Sequence, residues 1–560
     1  MSREEKRRAW VWAVVLAAAL SLPYLAAWGI TPEDRTYLGH IWNPDEPNVY
    51  YAWMRQASEG QLFLQDLFTT EPQEGRFTNL FWVGLGGAAA VHAGAVPWVY
   101  ALARLACAAG LFYSLYAFAA GLGAMKRVRW AAMVLGATAS GLGWLAVLLA
   151  PLVPKGMTLY CVDIGLSITG GVIADDLMMP ETSTFASALL LPLFSFSMIL
   201  LLWLVLWSWR ALRDGDLKAA LWAGLLGLLL GNVHTYDMIP MHLLWFTVGG
   251  CLLALKRLTW QGVKAYLVFA AVSIPSMLYQ VYVFRTDPIF QEKAVTITAS
   301  PPPLSYAVSF GIPLVLAIIG AVFVIRRREW QYLPVVCWLV VGIGVAYLPG
   351  LSFQRKMIEG AHLPMLVLAA LAVVRWVPSL GKRPSTATHP RRIRAVVAMV
   401  TLLCLPSSLY FLLGRSLATV TENNATRVAS ALMPPYSLSD GDVACAVWLR
   451  ERGREGAVVS MPMMGSYLPG LTGRKVWIGH WAETLRFEDK LASVSGLLVA
   501  DDADAAAPAL TACQYVVVGE YERAFGASEA RVVETAREAG WELAPAFRSG
   551  DSVVLEKMPR

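Results

Sequence analysis

The stretch FTNLFWVGLGGAAAVHAGAVPWVY, residues 77–100, decides the topology of this chain. It is apolar and rich in Gly and Ala, so it either crosses a membrane or lies along its surface. Eleven other runs of about twenty apolar residues are long enough to cross. They fall near 9–29, 98–122, 130–151, 185–208, 218–233, 238–255, 264–284, 305–325, 331–349, 362–379 and 395–414. The short loops REEKRR, KRVR, RALRDGDLK, LKRLTWQGVK, IRRREW and GKRPSTATHPRRIR carry most of the Lys and Arg between them. Short basic loops collect on the cytoplasmic side. All six share one side only if 77–96 stays out of the bilayer. The pattern therefore predicts about eleven crossings, a cytoplasmic N-terminus and a surface-lying segment at 77–96.

Composition agrees with a polytopic α-helical membrane protein. Of 560 residues, 57% are hydrophobic and only 15% charged, with a mean hydropathy of +0.51. Soluble domains carry about a quarter charged residues. The net charge of +6 reports the basic loops and gives no reason to expect nucleic acid as a partner. The seven cysteines are scattered without a C-x-x-C pair, which excludes the usual zinc and redox motifs. Cys445 and Cys513 share the C-terminal region and can pair in an oxidising compartment. The basic start and long apolar run of the first twenty-eight residues read as an uncleaved first helix.

With this topology, a first outer loop (30–97), loops near 152–184, 234–237, 285–304 and 350–361, and residues 415–560 all face outward. The cytoplasmic loops are too short for a nucleotide-binding domain, and no P-loop appears, which argues against an ATP-driven pump. Residues 1–414 form a transmembrane domain. Residues 415–560 alternate helical stretches (DGDVACAVWLRERG, AETLRFEDKLASVSGLLV, SEARVVETAREAG) with short apolar strands (AVVSMP, KVWIG, YVVVGE, WELAPAFRSG, SVVLEKM). That alternation predicts an extracytoplasmic α/β domain.

Ionisable groups at membrane depth are costly and usually functional. The outward face collects several. Asp45 and Glu46 stand in NPDEPNVYYAWMRQASEG, Asp175, Asp176 and Glu181 in GGVIADDLMMPETSTFASALL, and His234 and Asp237 in GNVHTYDMIPMH. Arg355 and Lys356 stand in PGLSFQRKMIEGAHLP, and Arg104 lies inside the second span. A carboxylate can take the proton of a hydroxyl nucleophile, and Arg and Lys can bind a phosphate. A second carboxylate can place the acceptor or hold a divalent cation such as Mg or Mn. Each has a purely structural reading as well. Asp45 and Asp175/Asp176 can be helix caps, and His234 with Asp237 can close a helical hairpin. Arg355 and Lys356 can snorkel to headgroups, and GHWAETLRFEDK (479–490) can be a helix start.

The segment PDEPNVYYAWMRQASEG, the amphipathic stretch after it and ALARLACAAGLFYSLYAFAAGLGAMKRVRW resemble the GT-C integral-membrane glycosyltransferases, in particular the aminoarabinose-transferase and protein-mannosyltransferase branch. The likeness covers roughly the first 210 residues. It implies transfer of a sugar from a polyprenyl-phosphate donor to a lipid, glycan or protein acceptor on the outer face of the plasma (inner) membrane, with inversion. It places the catalytic Asp at Asp45, with Glu46 beside it, and a second acidic position at Asp175 or Asp176. Arg104, Arg355 and Lys356 are the candidates for the donor phosphate. Glu181, His234 and Asp237 are the candidates for acceptor or metal positioning. The stretch TTEPQEGRFTNLFW stands where that branch has a His-Pro-Pro-type segment, which leaves the acceptor open. The competing readings are a transporter or lipid-handling protein without glycosyl transfer, and a scaffold. Against transport stands the lack of inverted-repeat hydropathy.

Overall fold

The computed structural model describes residues 1–92, 94–149, 175–294, 297–379, 389–426 and 434–559. Most of the expected outer loop at 152–184 and the centre of the basic loop at 381–394 lie outside the described residues. Ten helices among those described are long and apolar enough to cross a membrane. They coincide with ten of the eleven expected spans. The remaining one, Leu217–Val233, has 17 residues. At 1.5 Å per residue it reaches about 26 Å, short of a hydrocarbon core of about 30 Å. It ends where His234 begins the next turn.

The stretch at 77–100 does not form a span of its own. Its helix, Leu80–Ala89, has 10 residues, about 15 Å long. The next helix, Val96–Gly121, takes the end of the stretch into the second span. The glycines have a packing reason. A Cβ on Gly86 would lie 2.4 Å from Ala57 Cβ and 2.6 Å from the Met54 carbonyl oxygen. Leu80–Ala89 therefore lies directly on the helix Asp45–Ser58.

The chain divides into two compact units. One comprises Met1–Leu22, Leu102–Val281 and Ile297–Arg415. It holds most of the long apolar helices. Gln354–Arg375 is buried along its whole apolar window, whereas only 28% of that of Arg391–Ala425 is covered; apolar side chains left uncovered suit a lipid-facing helix. Within this unit Pro303–Arg326 breaks at Gly311, whose φ of +45° is open to glycine at little cost. The break lies two residues from Ser309, which matters below.

The other unit comprises Pro23–Ala101, Tyr282–Thr296 and Ser416–Arg560. Here β1 (Arg35–Tyr37) pairs antiparallel with β2 (Ser437–Ser439). A four-stranded sheet is built from β3 (Val458–Val459), β4 (Tyr515–Val518), β5 (Leu543–Ser549) and β6 (Ser552–Lys557), in the order β3-β4-β6-β5. Only the β3/β4 pair is parallel. One core around Leu438, Leu449, Met463, Tyr467 and Val517 also takes in Val49, Leu67 and Phe68 of the early segment. A second, around Val494, Leu510, Val516, Val532 and Val553, is made of C-terminal residues alone.

The expected C-terminal α/β pattern is present, with local differences. KVWIG forms a single bridge, Val458 to Val476, rather than a strand. Helices Pro462–Thr472 and Ala503–Ala512 stand where no helix was expected. Cys445 and Cys513 are free, buried thiols in different cores, so they do not pair. Asn424, a formal sequon, is buried; its Oδ1 accepts from Ser437 Oγ at 3.1 Å.

Candidate functional site

Asp45 begins the helix Asp45–Ser58, after Asn43 turns the chain with φ +37°. Asn tolerates that left-handed backbone better than most residues. The N-cap position is Pro44, which makes no side-chain cap bond. Asp45 is buried, and its Oδ1 accepts from Ser466 Oγ at 3.2 Å. Its Oδ2 lies 3.9 Å from His480 Nε2. Burial pushes the Asp45 carboxyl up; His480 and Ser466 pull it down, and Glu46 and Glu483 add to the rise. Glu46 points elsewhere, accepting from the Tyr50 hydroxyl at 2.7 Å. Tyr50 is stacked on Trp82, with ring centroids 4.3 Å apart, so Glu46 is tied to the aromatic packing of the helix.

The remaining acidic candidates belong to the other unit and sit on three short 3-10 turns, Asp175–Leu177, Pro180–Thr182 and Thr235–Asp237, while a fourth, Gln354–Ile358, carries Arg355 and Lys356. These turns pack on one another. The adjacent aspartates have different surroundings. Asp176 Oδ2 accepts from Ser140 Oγ at 3.1 Å, Gly141 N at 2.9 Å and Gly143 N at 3.3 Å. These donors gather around the start of the helix Gly143–Leu149. Asp175 Oδ2 accepts only a long bond, 3.4 Å, from Ser309 beside the Gly311 break. Burial raises both carboxyls, Asp176 to about 6 against the pull of its donors, and Asp175 to about 7. For Asp175 the charge of Asp176 adds to burial, while Ser309 and Arg355 oppose it. Glu181 lies within electrostatic reach of Asp175.

His234 stands between two carboxylates. Its Nδ1 is 3.0 Å from Asp237 Oδ2, and its Nε2 is 3.1 Å from Glu359 Oε2. Ser197 donates a short bond to the other Glu359 oxygen. Apart from these contacts with His234, neither oxygen of Asp237 nor Glu359 Oε2 has a hydrogen-bond partner among the described residues, although all are buried. The facing atoms of these three residues lie within 4.8 Å of one another, and they are the one such group among the described residues. One imidazole and two carboxylates are a fitting donor set for a first-row divalent ion.

The three basic candidates part company. Lys356 Nζ lies 5.0 Å over the Tyr236 ring, beside the His234 turn. Arg355 is close enough to Asp175 to stabilise its charge, and its buried Nε donates to no described atom. Such an orphaned guanidinium donor suits an anion. Arg104 instead donates to the Leu189 carbonyl at 3.3 Å and Ser21 Oγ at 3.5 Å.

Sequence reasoning did not nominate Glu359, Ser466 or His480. Glu359 carried a usable signal, an acid three residues before the apolar run at 362–379. Ser466 and His480 carried none, because their meaning depends on a residue more than four hundred positions away.

Solved structures share this architecture. The arabinofuranosyltransferase AftD from mycobacteria aligns over 99% of this chain and 42% of its own, at 14% identity and a TM-score of 0.53. The chain shares the fold of that structure. More distant likenesses are to ArnT from Cupriavidus metallidurans, bound to undecaprenyl phosphate (12% identity, 97% of both chains, TM-score 0.46). The oligosaccharyltransferase of Archaeoglobus fulgidus, tethered to an acceptor peptide, matches at 14% identity over 92% of this chain and 69% of its own, with a TM-score of 0.45. No family model and no curated protein sequence matches the chain.

Proposed function

We propose that this GT-C-fold protein is a glycosyltransferase of the plasma (inner) membrane. It moves a sugar from a polyprenyl-phosphate donor to an acceptor on the outer face, with the N-terminus cytoplasmic and residues 415–560 outside. The observation that carries the reading is Asp45. It is a buried carboxylate at the start of an outer-loop helix, paired with no Lys or Arg among the described residues, in a chain with the fold of a sugar transferase. Burial raises its affinity for a proton, which suits a base working near neutrality.

In the reaction, Asp45 takes the proton of the acceptor hydroxyl as its oxygen bonds to the anomeric carbon. The bond from that carbon to the phosphate oxygen breaks, and polyprenyl phosphate leaves as the anion. Arg355, with its orphaned Nε, and Lys356 bind that phosphate. Asp175 is the better candidate for the second site carboxylate, because Asp176 is taken up by three donors. Arg104, bonded to Leu189 and Ser21, braces its helix. The test is transfer from radiolabelled polyprenyl-phosphate sugars to a host membrane extract in nanodiscs. Asp45→Asn should lower transfer about 10²- to 10⁴-fold with unchanged thermal stability. Full activity in that variant would overturn the assignment.

His234, Asp237 and Glu359 would hold a divalent cation, manganese being better matched than magnesium to a set that includes imidazole. When bound, such an ion supplies positive charge for substrate oxygens. The support is the set of buried oxygens with no described partner apart from His234. Purified protein should retain close to one equivalent of ion by elemental analysis, lose it in Glu359→Gln, and melt lower after chelation. An unchanged melt after chelation, with no retained metal, would make the triad an imidazolium held between two carboxylates.

A further inference from the structure

The turn from Gly479 to Thr484 is bonded far more tightly than a helix start requires. The Gly479 amide donates to Thr484 Oγ1 at 3.0 Å, and that hydroxyl donates to the Phe68 carbonyl at 3.0 Å. The amides of Glu483 and Thr484 both donate to the His480 carbonyl, at 3.1 and 2.9 Å. The Ala482 amide donates to His480 Nδ1 at 3.1 Å. That last bond fixes the ring chemistry. A nitrogen that accepts a backbone N–H carries no proton, so the imidazole proton sits on Nε2. Nε2 is the atom 3.9 Å from Asp45 Oδ2, and the ring is buried against the edge of Phe68.

Ser466 is brought to the other Asp45 oxygen by equally close packing. A Cβ on Gly465 would lie 2.0 Å from the Ile478 carbonyl oxygen, so helix Pro462–Thr472 and the strand-like segment before His480 touch backbone to backbone. The two groups converge on one carboxylate. They do so without a Lys or Arg, whereas Glu71 and Asp66 of the same unit are paired with Lys490 and Lys293.

We infer that residues 465–484 complete the acceptor-activating site, with His480 and Ser466 as positioning residues that aim the Asp45 carboxylate. This rests on the reading of Asp45 as the base. The physical reason is a balance. Burial by itself raises the proton affinity of Asp45. A full ion pair would hold its proton affinity too low. A dipolar N–H and a hydroxyl lie between these extremes. The other titratable groups facing Asp45 are Glu46, Glu483 and Tyr467. The two glutamates raise its proton affinity, so the pull of His480 and Ser466 is needed.

The experiment compares His480→Ala, His480→Gln and Ser466→Ala with wild type and Asp45→Asn, using the radiolabelled polyprenyl-phosphate sugars across pH 5–9. His480→Ala should lower kcat about 10- to 100-fold with KM for the lipid donor nearly constant. The acidic limb of its pH profile should move upward, because a carboxylate that loses a nearby N–H group protonates more readily. His480→Gln, whose amide can replace the Nε2–H, should recover most of the rate, and Ser466→Ala should show a smaller shift in the same direction. Activity in Asp45→Asn would sink the base assignment itself. A dead Asp45→Asn beside a fully active His480→Ala with an unmoved acidic limb would overturn only this inference. Independently of turnover, infrared difference titration of wild type minus Asp45→Asn reads the Asp45 carboxyl directly. An unchanged midpoint in His480→Ala and Ser466→Ala alike would also overturn it.

Discussion

The two units handle buried carboxylates in opposite ways. In the unit that contains the C-terminal region, structural acids are matched with cations. Lys293 bridges Asp66, at 2.6 Å, and Glu483. Glu71 pairs with Lys490 at 2.8 Å and Arg486 at 2.9 Å. Burial opposes ionisation of Glu71, yet Lys490, Thr69 and Arg486 together hold its carboxyl at about 2. Asp442 and Glu522, also buried and without a described Lys or Arg, are taken up by hydroxyl and backbone donors instead, which leaves Asp45 with one Ser466 hydroxyl bond and a His480 nitrogen at 3.9 Å. In the other unit the four turns and the residue after them carry Asp175, Asp176, Glu181, Asp237 and Glu359, against Arg355, Lys356 and one imidazole. Cations are short there, and Asp175 is driven to about 7. The contrast separates acids matched by cations or donors from acids that are underpaired: a paired carboxylate is committed, and an underpaired one is available for the proposed chemistry.

The largest effect that would break this contrast is expected at Lys293. Lys293→Met leaves Asp66 and Glu483 buried without their shared cation, which should cost about 3–5 kcal/mol. Chemical denaturation of the purified protein measures it; a loss under about 1 kcal/mol would mean that the pairing is not structural.

The adjacent aspartates sharpen the contrast at closer range. Asp176→Asn weakens acceptance from three donors and should cost about 1–3 kcal/mol of stability. Asp175→Asn should instead reduce transfer while stabilising the protein at pH 7.5 by something on the order of 2–4 kcal/mol. The sign follows from linkage. The folded Asp175 binds its proton more tightly than the unfolded one, so its stabilising contribution is complete below about pH 4. It is lost as pH rises through about 7. Wild-type stability should therefore fall across that window, and Asp175→Asn should flatten the fall. If the two variants exchanged phenotypes, Asp176 would be the site carboxylate.

The sequence carried the membrane architecture because hydrophobic length and loop charge are local properties. Apolar runs of fixed length, and basic loops falling on one side, sufficed to keep 77–96 out of the count of spans, and the ten-residue helix Leu80–Ala89 agrees. The same locality made Asp45, Asp175 and His234 visible as expensive residues in the loops expected to face outward. What it could not do was rank them. Asp175 and Asp176 are neighbours of one type, and only the donors at Ser140, Gly141 and Gly143 distinguish them. Glu359 joins His234 and Asp237 from more than one hundred residues away. Ser466 and His480 join Asp45 across more than four hundred.

By itself, then, the sequence determined the ten long apolar helices and which polar residues are costly at membrane depth. These follow from short-range hydrophobicity and charge. The tertiary structure decided which carboxylates are committed to donors and cations and which remain underpaired. That depends on burial and on partners brought together by packing, and no periodicity along the chain encodes either.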